Sequence, residues 1–196
     1  MMPYPLTMNR VPVIIDSLCY LLSKLRRLDK IHLIKLMYLA DRYHLMSYGR
    51  TVSGDVFVAL SHGPVGSQTM DILEFDEYVL KEYLPKARKS FQKGAGFEYV
   101  SGDECDTNAL DMLSETDIEA LDFVITHFGC MDKWKVVDYT HELPEWKRYK
   151  DLFNSGKTKR EPIRTDELLW MVTDDYFSVS EDHVKESLGI LTGTES

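Results

Sequence analysis

The chain has 196 residues, of which 44% are hydrophobic, 11% aromatic and 28% charged. This composition is typical of a globular domain and excludes a wholly disordered, collagenous or fibrous chain. Acidic residues outnumber basic ones by 32 to 23, which gives a formal net charge of −9. A protein that mainly grips phosphate backbones usually carries the opposite sign, so the charge argues against nucleic acid as the principal partner.

The cysteines, Cys19, Cys105 and Cys130, are odd in number and widely spaced, with no C-x-x-C pair. Such usage predicts a reducing compartment and argues against a disulfide framework or a cysteine-rich zinc site. The apolar run after Arg10 is broken at Asp16, unlike the core of a signal peptide. No window approaches the ~20 apolar residues that span a bilayer. We therefore expect a cytoplasmic protein without a membrane partner.

Two helices are predicted at the start of the chain. Apolar residues recur at every third or fourth position over 11–25, which indicates one face of a helix. Asp29 is a suitable N-cap for a second helix, and Gly49 is a suitable left-handed stop for it. Because the turn between the two helices is short, they read as an antiparallel pair.

The next segment changes character. Residues 56–59 form a short β-prone run. Pro64 is placed as in the first turn of another helix, which we expect to reach residue 75. A further helix is predicted over 78–84, ending by Pro85. Residues 86–107 are compatible with either a hairpin or a mobile loop.

The clearest local signal lies at residues 113–118. Ser114 is predicted as an N-cap with Asp117 in the reciprocal position of a capping box, and Leu113 and Ile118 form a hydrophobic staple. This helix should end at Gly129. Further elements expected downstream are a helix capped by Asp132, a corner at Pro144, a loop over 154–164, and two closing helices capped by Thr165 and Ser180.

Asp41 interrupts the apolar face of the second helix. A carboxylate in such a place needs hydrogen-bond donors. We expect these donors in the 53–65 segment, where the N-terminus of the helix predicted at Pro64 would attract a carboxylate. Asp41→Ala should then cost a few kcal/mol of stability by leaving buried donors unpaired. His141 and Trp146 lie around the Pro144 corner, where we expect one of them to be exposed for a partner.

Residues with catalytic or metal-binding potential show no recognisable pattern. The six histidines lack the spacing of a metalloprotease site, and no G-x-S-x-G nucleophile elbow is present. We expect no cofactor and no bound metal. The alternative that remains open is an enzyme acting on a nucleotide or other small molecule through Asp41, Asp55, His62 and His141.

Several short motifs follow one another in order along the chain. They are K-L-M-Y-L-A-D at 35–41, S-G-D at 53–55, H-G-P-V at 62–65, L-S-x-x-D at 113–117 and T-H-x-x-P-x-W-K at 140–147. Together they resemble the Panacea domain, the SocA-like antitoxin family of bacterial and phage genomes. The candidate partner-binding residues, taken from these motifs, are Lys35, Tyr38, Asp41, Gly54, Asp55, His62, Gly63, Pro64, Thr140, His141 and Trp146.

The resemblance implies a mainly α (α+β) fold, a single helical domain with a small β-hairpin or short β element. We expect residues 1–9 to form an extension, 10–150 the Panacea-like domain, and 151–196 a helical extension packed on it. The implied function is that of an antitoxin that binds a cognate toxin directly, since members of the family neutralise varied small toxins. One member also acts as an adaptor to a cytoplasmic protease. A homo-oligomer is compatible with the sequence.

Overall fold

The computed structural model of the protein describes residues 10–103, 105, 110–172, 176–177 and 179–194. The extension predicted over 1–9 lies outside the described residues, as do residue 104 and residues 106–107 of the 86–107 stretch. The fold is mainly α with two small antiparallel sheets of three strands each, which confirms the predicted fold class. None of the described helices is long and apolar enough to cross a bilayer.

The described elements alternate between helices and short strands along the chain. The helices are α1 (Val11–Leu25), α2 (Lys30–Tyr48), α3 (Ser67–Leu73), α4 (Glu77–Leu80), α5 (Leu84–Ser90), α6 (Glu115–Phe128), α7 (Lys133–His141), α8 (Pro144–Lys147), α9 (Lys150–Asn154) and α10 (Glu181–Thr192), with 3₁₀ turns at Lys81–Tyr83 and Thr165–Leu169. The strands are β1 (Arg27–Asp29), β2 (Phe57–Leu60), β3 (Gly63–Gly66), β4 (Phe91–Lys93), β5 (Glu98–Ser101) and β6 (Glu161–Pro162).

Helix α2 runs through the interior, with α6, α7 and α10 packed against it. Its predicted ends are both confirmed. Asp29 Oδ1 accepts a hydrogen bond from the Ile31 N–H at 2.9 Å, and Gly49 closes the helix at φ 69°. At the same end, α10 contacts α2 through Ser187, whose hydroxyl donates to the Met46 carbonyl at 2.8 Å.

The first sheet has the strand order β1-β5-β4 and contains the hairpin that was one of two alternatives for 86–107. Strand β1 is a three-residue segment that follows Arg26, a residue at φ 65°. It pairs with β5, so that Leu28 faces Tyr99. A strand this short is defined by its partner rather than by its own sequence, which explains why periodicity did not predict it.

The second sheet has the order β3-β2-β6, and here the prediction for Pro64 is wrong. Pro64 lies in β3, opposite Ala59, and the helix begins at Ser67 instead. Strand β3 is at the edge of the sheet, where a residue without an N–H is tolerated. Strand β6 lies within the predicted 154–164 loop and completes the sheet.

Two other predicted helix boundaries are also wrong. Pro85 does not end a helix but lies in the first turn of α5, a position that suits a residue without a backbone N–H. Thr165 does not cap the following turn, because Arg164 occupies the N-cap position of the 3₁₀ segment Thr165–Leu169. The Ser180 cap of α10 is confirmed, with its hydroxyl accepting from the His183 N–H.

The cysteine prediction needs correction. Cys19 on α1 and Cys105 beyond β5 form a disulfide, with their Cα atoms 5.6 Å apart and a separation of 86 positions in sequence. Cys130 is free and exposed. Spacing along the chain carries no information about a pairing that the tertiary fold creates. The cysteine count therefore no longer argues for a reducing compartment.

The capping box of α6 is present as predicted. The Ser114 hydroxyl accepts from the Asp117 N–H at 3.3 Å, and the Asp117 carboxylate accepts from the Ser114 N–H at 2.9 Å. We expect Ser114→Ala to lower the free energy of unfolding by about 1 kcal/mol, because the first turn loses an acceptor. Urea denaturation measures the change, with Ser61→Ala at an exposed turn as the control. An unchanged midpoint for Ser114→Ala would contradict the assignment.

Candidate functional site

Helix α2 carries an unusual number of buried polar side chains. Those exposed by 5% or less are His32, Lys35, Asp41, Arg42 and His44, and Tyr38 is exposed by 1%. Burying such groups is unfavourable unless each finds a hydrogen-bond partner inside the protein. The partners come from segments distant in sequence, and they define where the motif residues lie.

Asp41 makes the contact that its position predicts. Its carboxylate oxygens accept from the Ser53 N–H at 2.7 Å and from the Ser53 hydroxyl at 2.5 Å. Burial, together with the negative charge of nearby Asp55, raises the pKa of Asp41 to about 7. The donors come from the turn before β2 and not from a helix N-terminus, because the expected helix at Pro64 is a strand.

Asp55 ties the same turn to the start of α3. Its carboxylate accepts from the backbone N–H groups of Gln68 and Thr69, each at 2.8 Å, and from the Thr69 hydroxyl at 2.8 Å. A Cβ at Gly66 would lie 2.3 Å from Asp55 Oδ2, so only glycine fits there. Gly54 has φ 61°, which allows the turn between the two aspartates. Together Asp41, Gly54 and Asp55 form one connected structural unit.

A second buried group joins α2 to α8. The Tyr38 hydroxyl donates to Glu145 Oε1 at 2.7 Å, and Arg42 Nη1 donates to the same oxygen at 2.5 Å. Arg42 Nη2 reaches the Trp170 carbonyl at 2.6 Å. Burial and the Glu145 charge raise the pKa of Tyr38 well above its usual value. Sequence analysis missed both Arg42 and Glu145. The signal that could have identified them is the one that Asp41 showed, a charged residue within an apolar stripe.

Trp146 is buried, so it is not the residue of the Pro144 corner that is exposed for a partner. It is exposed by 3%, and its indole N–H donates to the Leu60 carbonyl at 2.7 Å. The His141 ring stacks on it with centroids 3.8 Å apart and planes 7° from parallel. His141 is half-buried, so neither residue at the Pro144 corner is freely exposed. The corner turns inward because Trp146 binds the end of β2.

Lys35 lies beneath the β2–β3 turn. Its ammonium donates to the Pro64 carbonyl at 2.7 Å, and burial lowers its pKa well below the usual value. Gly63, at φ 100°, faces this ammonium closely, since a Cβ there would lie 2.5 Å from Lys35 Nζ and 2.8 Å from Thr140 Oγ1. Any larger residue at position 63 would therefore displace Lys35 or Thr140.

The structure therefore separates the motif residues into connected groups. Asp41, Gly54 and Asp55 lie on one side of α2, and Tyr38 points to Glu145. The remaining motif residues surround the β2–β3 turn, namely Lys35, His62, Gly63, Pro64, Thr140, His141 and Trp146. The described contacts join neither Asp41 nor Asp55 to His62 or His141.

One pocket opens beside the β2–β3 turn, with a volume of about 200 Å³. Its apolar wall consists of Ile31, Ile34, Leu60, Val65 and Met70. The rest of the pocket lining consists of three basic side chains, Lys30, Lys35 and His62, together with Ser61 and Gly63. Within the part of the chain that the structure describes, no group of three or more His, Cys, Asp and Glu side chains is placed to hold a metal ion.

The motif residues in these groups all lie within a single family match. A family model described as antitoxin SocA-like, Panacea domain, matches residues 33–147. The chain belongs to this SocA-like antitoxin family. The match begins on α2 and ends on α8, so it spans every contact described above between α2, the β2–β3 turn and the 140–147 segment. No curated protein and no solved structure matches the chain.

The first prediction for this region concerns the buried Glu145. We expect Glu145→Ala to lower the free energy of unfolding by about 3–5 kcal/mol, because the Arg42 charge stays buried without its partner. Glu142→Ala is the control, since Glu142 pairs with Lys147 at the surface and such pairs contribute no more than about 1 kcal/mol. Equal effects of the two substitutions on chemical denaturation would contradict a structural role for Glu145.

The second prediction concerns the titration of His141. Burial, with a smaller contribution from the charge of Lys35, lowers the pKa of His141 from 6.5 to about 4. The folded protein thus binds this proton less readily than the unfolded chain does. Its contribution to stability is complete above pH 6.5 and is lost as the pH falls towards 4.

Two measurements check this titration. An NMR titration of the His141 imidazole in the folded protein should give a pKa near 4, and a value near 6.5 would contradict the buried environment. His141→Phe keeps a ring against Trp146 but cannot titrate. This variant should therefore lose less stability than the unmodified protein when the pH is lowered from 7 to 5.

Proposed function

We propose that this chain is the antitoxin of a toxin–antitoxin pair and neutralises a cognate toxin by direct protein–protein contact. The observation that carries the proposal is the family match over residues 33–147. The described contacts support it indirectly, because the buried motif residues are engaged in holding α2, the β2–β3 turn and α8 together. Residues engaged in this way give the domain a fixed scaffold on which a binding surface can be presented.

Exposed apolar side chains are available for a partner. Among the aromatic residues that the structure describes, the largest exposed fractions are those of Tyr78 (90%), Phe97 (76%) and Trp134 (49%). Aromatic residues are enriched among the positions that contribute most to protein–protein binding. Exposure of several of them on one small domain favours a protein that binds another protein.

A small-molecule enzyme based on Asp41, Asp55, His62 and His141 has less support. The Asp41 carboxylate already accepts a hydrogen bond from Ser53, and the Asp55 carboxylate accepts from the N–H groups at the start of α3. Carboxylate oxygens that already accept hydrogen bonds from structural donors have little remaining capacity to accept a proton from a substrate. The residues of this hypothesis are also divided between two sides of α2.

The test is co-expression with the small protein encoded by the adjacent gene. We expect that protein alone to arrest growth, and co-expression of this chain to restore it through a complex that co-purifies at fixed stoichiometry. The antitoxin proposal fails if the neighbouring product is toxic and this chain neither restores growth nor binds it.

The same cultures distinguish blocking from delivery to a protease. The toxin half-life is followed after synthesis is stopped, with and without this chain. An unchanged half-life together with restored growth indicates a direct block. A shortened half-life that depends on a cytoplasmic protease indicates an adaptor.

A further inference from the structure

The pocket beside the β2–β3 turn has a chemistry that the scaffold contacts do not use. Most of its wall is aliphatic, and among the described residues that line it none is acidic. Lys30, Lys35 and His62 all reach it, in a chain whose formal net charge is −9. Lys30 is also paired with Glu74, whereas Lys35 has no carboxylate partner among the described residues. The pocket is therefore mainly apolar, with nitrogen-bearing basic side chains in its lining.

Hydrogen-bonding capacity remains unused beneath it. An ammonium has three N–H donors, and the one described acceptor of Lys35 is the Pro64 carbonyl. His141 Nε2 is buried without a hydrogen-bond partner among the described residues. Both side chains approach Gly63, since a Cβ there would lie 2.5 Å from Lys35 Nζ and 3.2 Å from His141 Cδ2. Two nitrogen-bearing side chains thus approach the same point, and neither forms an ion pair with a carboxylate among the described residues.

Two exposed aromatic residues lie next to residues that line the pocket. The Trp134 ring lies 6.2 Å from the His62 ring, measured between centroids. The Phe97 carbonyl accepts a hydrogen bond from the backbone N–H of Lys30, another lining residue, at 2.9 Å. Exposed aromatic rings beside an apolar pocket are typical of a protein-binding surface.

The size of the pocket limits what it can hold. Sites for drug-sized ligands occupy roughly 300–1,000 Å³, and this pocket has about 200 Å³. It therefore suits a single residue. The apolar wall favours an aliphatic group, and the basic side chains favour a carboxylate. The C-terminal residue of a protein chain can offer both groups at once.

We propose that this pocket binds the C-terminal residue of the toxin, with an aliphatic side chain against Ile34, Val65 and Met70 and the terminal carboxylate directed to Lys35. The inference rests on the antitoxin function proposed above. Trp134 and Phe97 then contact the residues that precede the C-terminus. Charge complementarity between an acid-free pocket and a carboxylate provides orientation, and the apolar wall provides affinity.

The chemistry of the pocket is tested on the full chain with N-acetyl-leucine and its neutral analogue N-acetyl-leucinamide. Methyl NMR should show saturable shifts at Ile31, Ile34, Val65 and Met70 with the acid. The amide should bind roughly tenfold more weakly, because it lacks the charge that strengthens the hydrogen bond to Lys35. No shift at these methyl groups overturns the proposal, and equal binding of acid and amide overturns its carboxylate part.

Two variants separate the contributions to this binding. Lys35→Met keeps the length of the side chain and removes the ammonium, so it should abolish the preference for the acid. Met70→Trp fills the pocket and should abolish binding of both compounds. Leu188→Trp introduces the same ring on α10, which packs at the other end of α2, and should leave binding unchanged.

The last experiment measures binding of the toxin itself. If the unmodified chain restores growth, Met70→Trp should lose at least tenfold in toxin affinity, whereas Leu188→Trp should not. Restored growth with equal affinity of both variants overturns the docking inference and leaves the antitoxin function intact. Failure of the unmodified chain to bind the toxin overturns the proposed function, and with it the assignment of the occupant, even where N-acetyl-leucine binds.

Discussion

Helix α2 carries polar side chains into the interior, and each must recover there the hydrogen bonds that it loses on leaving water. A helix that is buried on nearly all sides has no solvent face to which such groups could turn. Lys35, Asp41 and Arg42 therefore bind three different segments, which are the β2–β3 turn, the turn before β2, and α8. These contacts fix three of the motif segments, 53–55, 62–65 and 140–147, against α2.

At the β2–β3 turn, the need to satisfy buried donors restricts which residues can lie beside them. Gly63 has a positive φ and no room for a side chain, because Lys35 and Thr140 fill the space beside it. Pro64 supplies the carbonyl that Lys35 needs, and Leu60 supplies the carbonyl for Trp146. A short hairpin at the edge of a sheet thus satisfies buried donors from two distant parts of the chain.

The buried and the exposed residues of this fold have different roles. The residues of the motifs hold the interior together, whereas Trp134 and Phe97 are exposed at the surface. One of the motif residues, Lys35, also lines the pocket beside the β2–β3 turn. A scaffold of this kind is suited to recognising different toxins through substitutions that do not disturb folding.

Features that depend on nearest neighbours along the chain were predictable from the sequence. The Ser114 cap, the Asp29 cap and the Gly49 stop are interactions over four residues or fewer, so the residue types alone indicate them. A contact of Asp41 with the 53–65 segment was also predictable, because a carboxylate in an apolar stripe needs donors. The donor itself was not predictable: it is Ser53 in the turn before β2 and not the start of a helix at Pro64. The mainly α class follows from the same local periodicity.

Other features were decided by tertiary contacts between residues far apart in sequence. Pro64 is in a strand because β2 pairs with it, although its local sequence suits a helix start equally well. Trp146 is buried by Leu60, 86 residues away, and Glu145 by Arg42, 103 residues away. The Cys19–Cys105 disulfide likewise joins residues 86 positions apart. Local sequence determines which hydrogen-bond donors, acceptors and apolar surfaces a segment has, but the folded chain determines which of them meet, because burial and pairing depend on both partners.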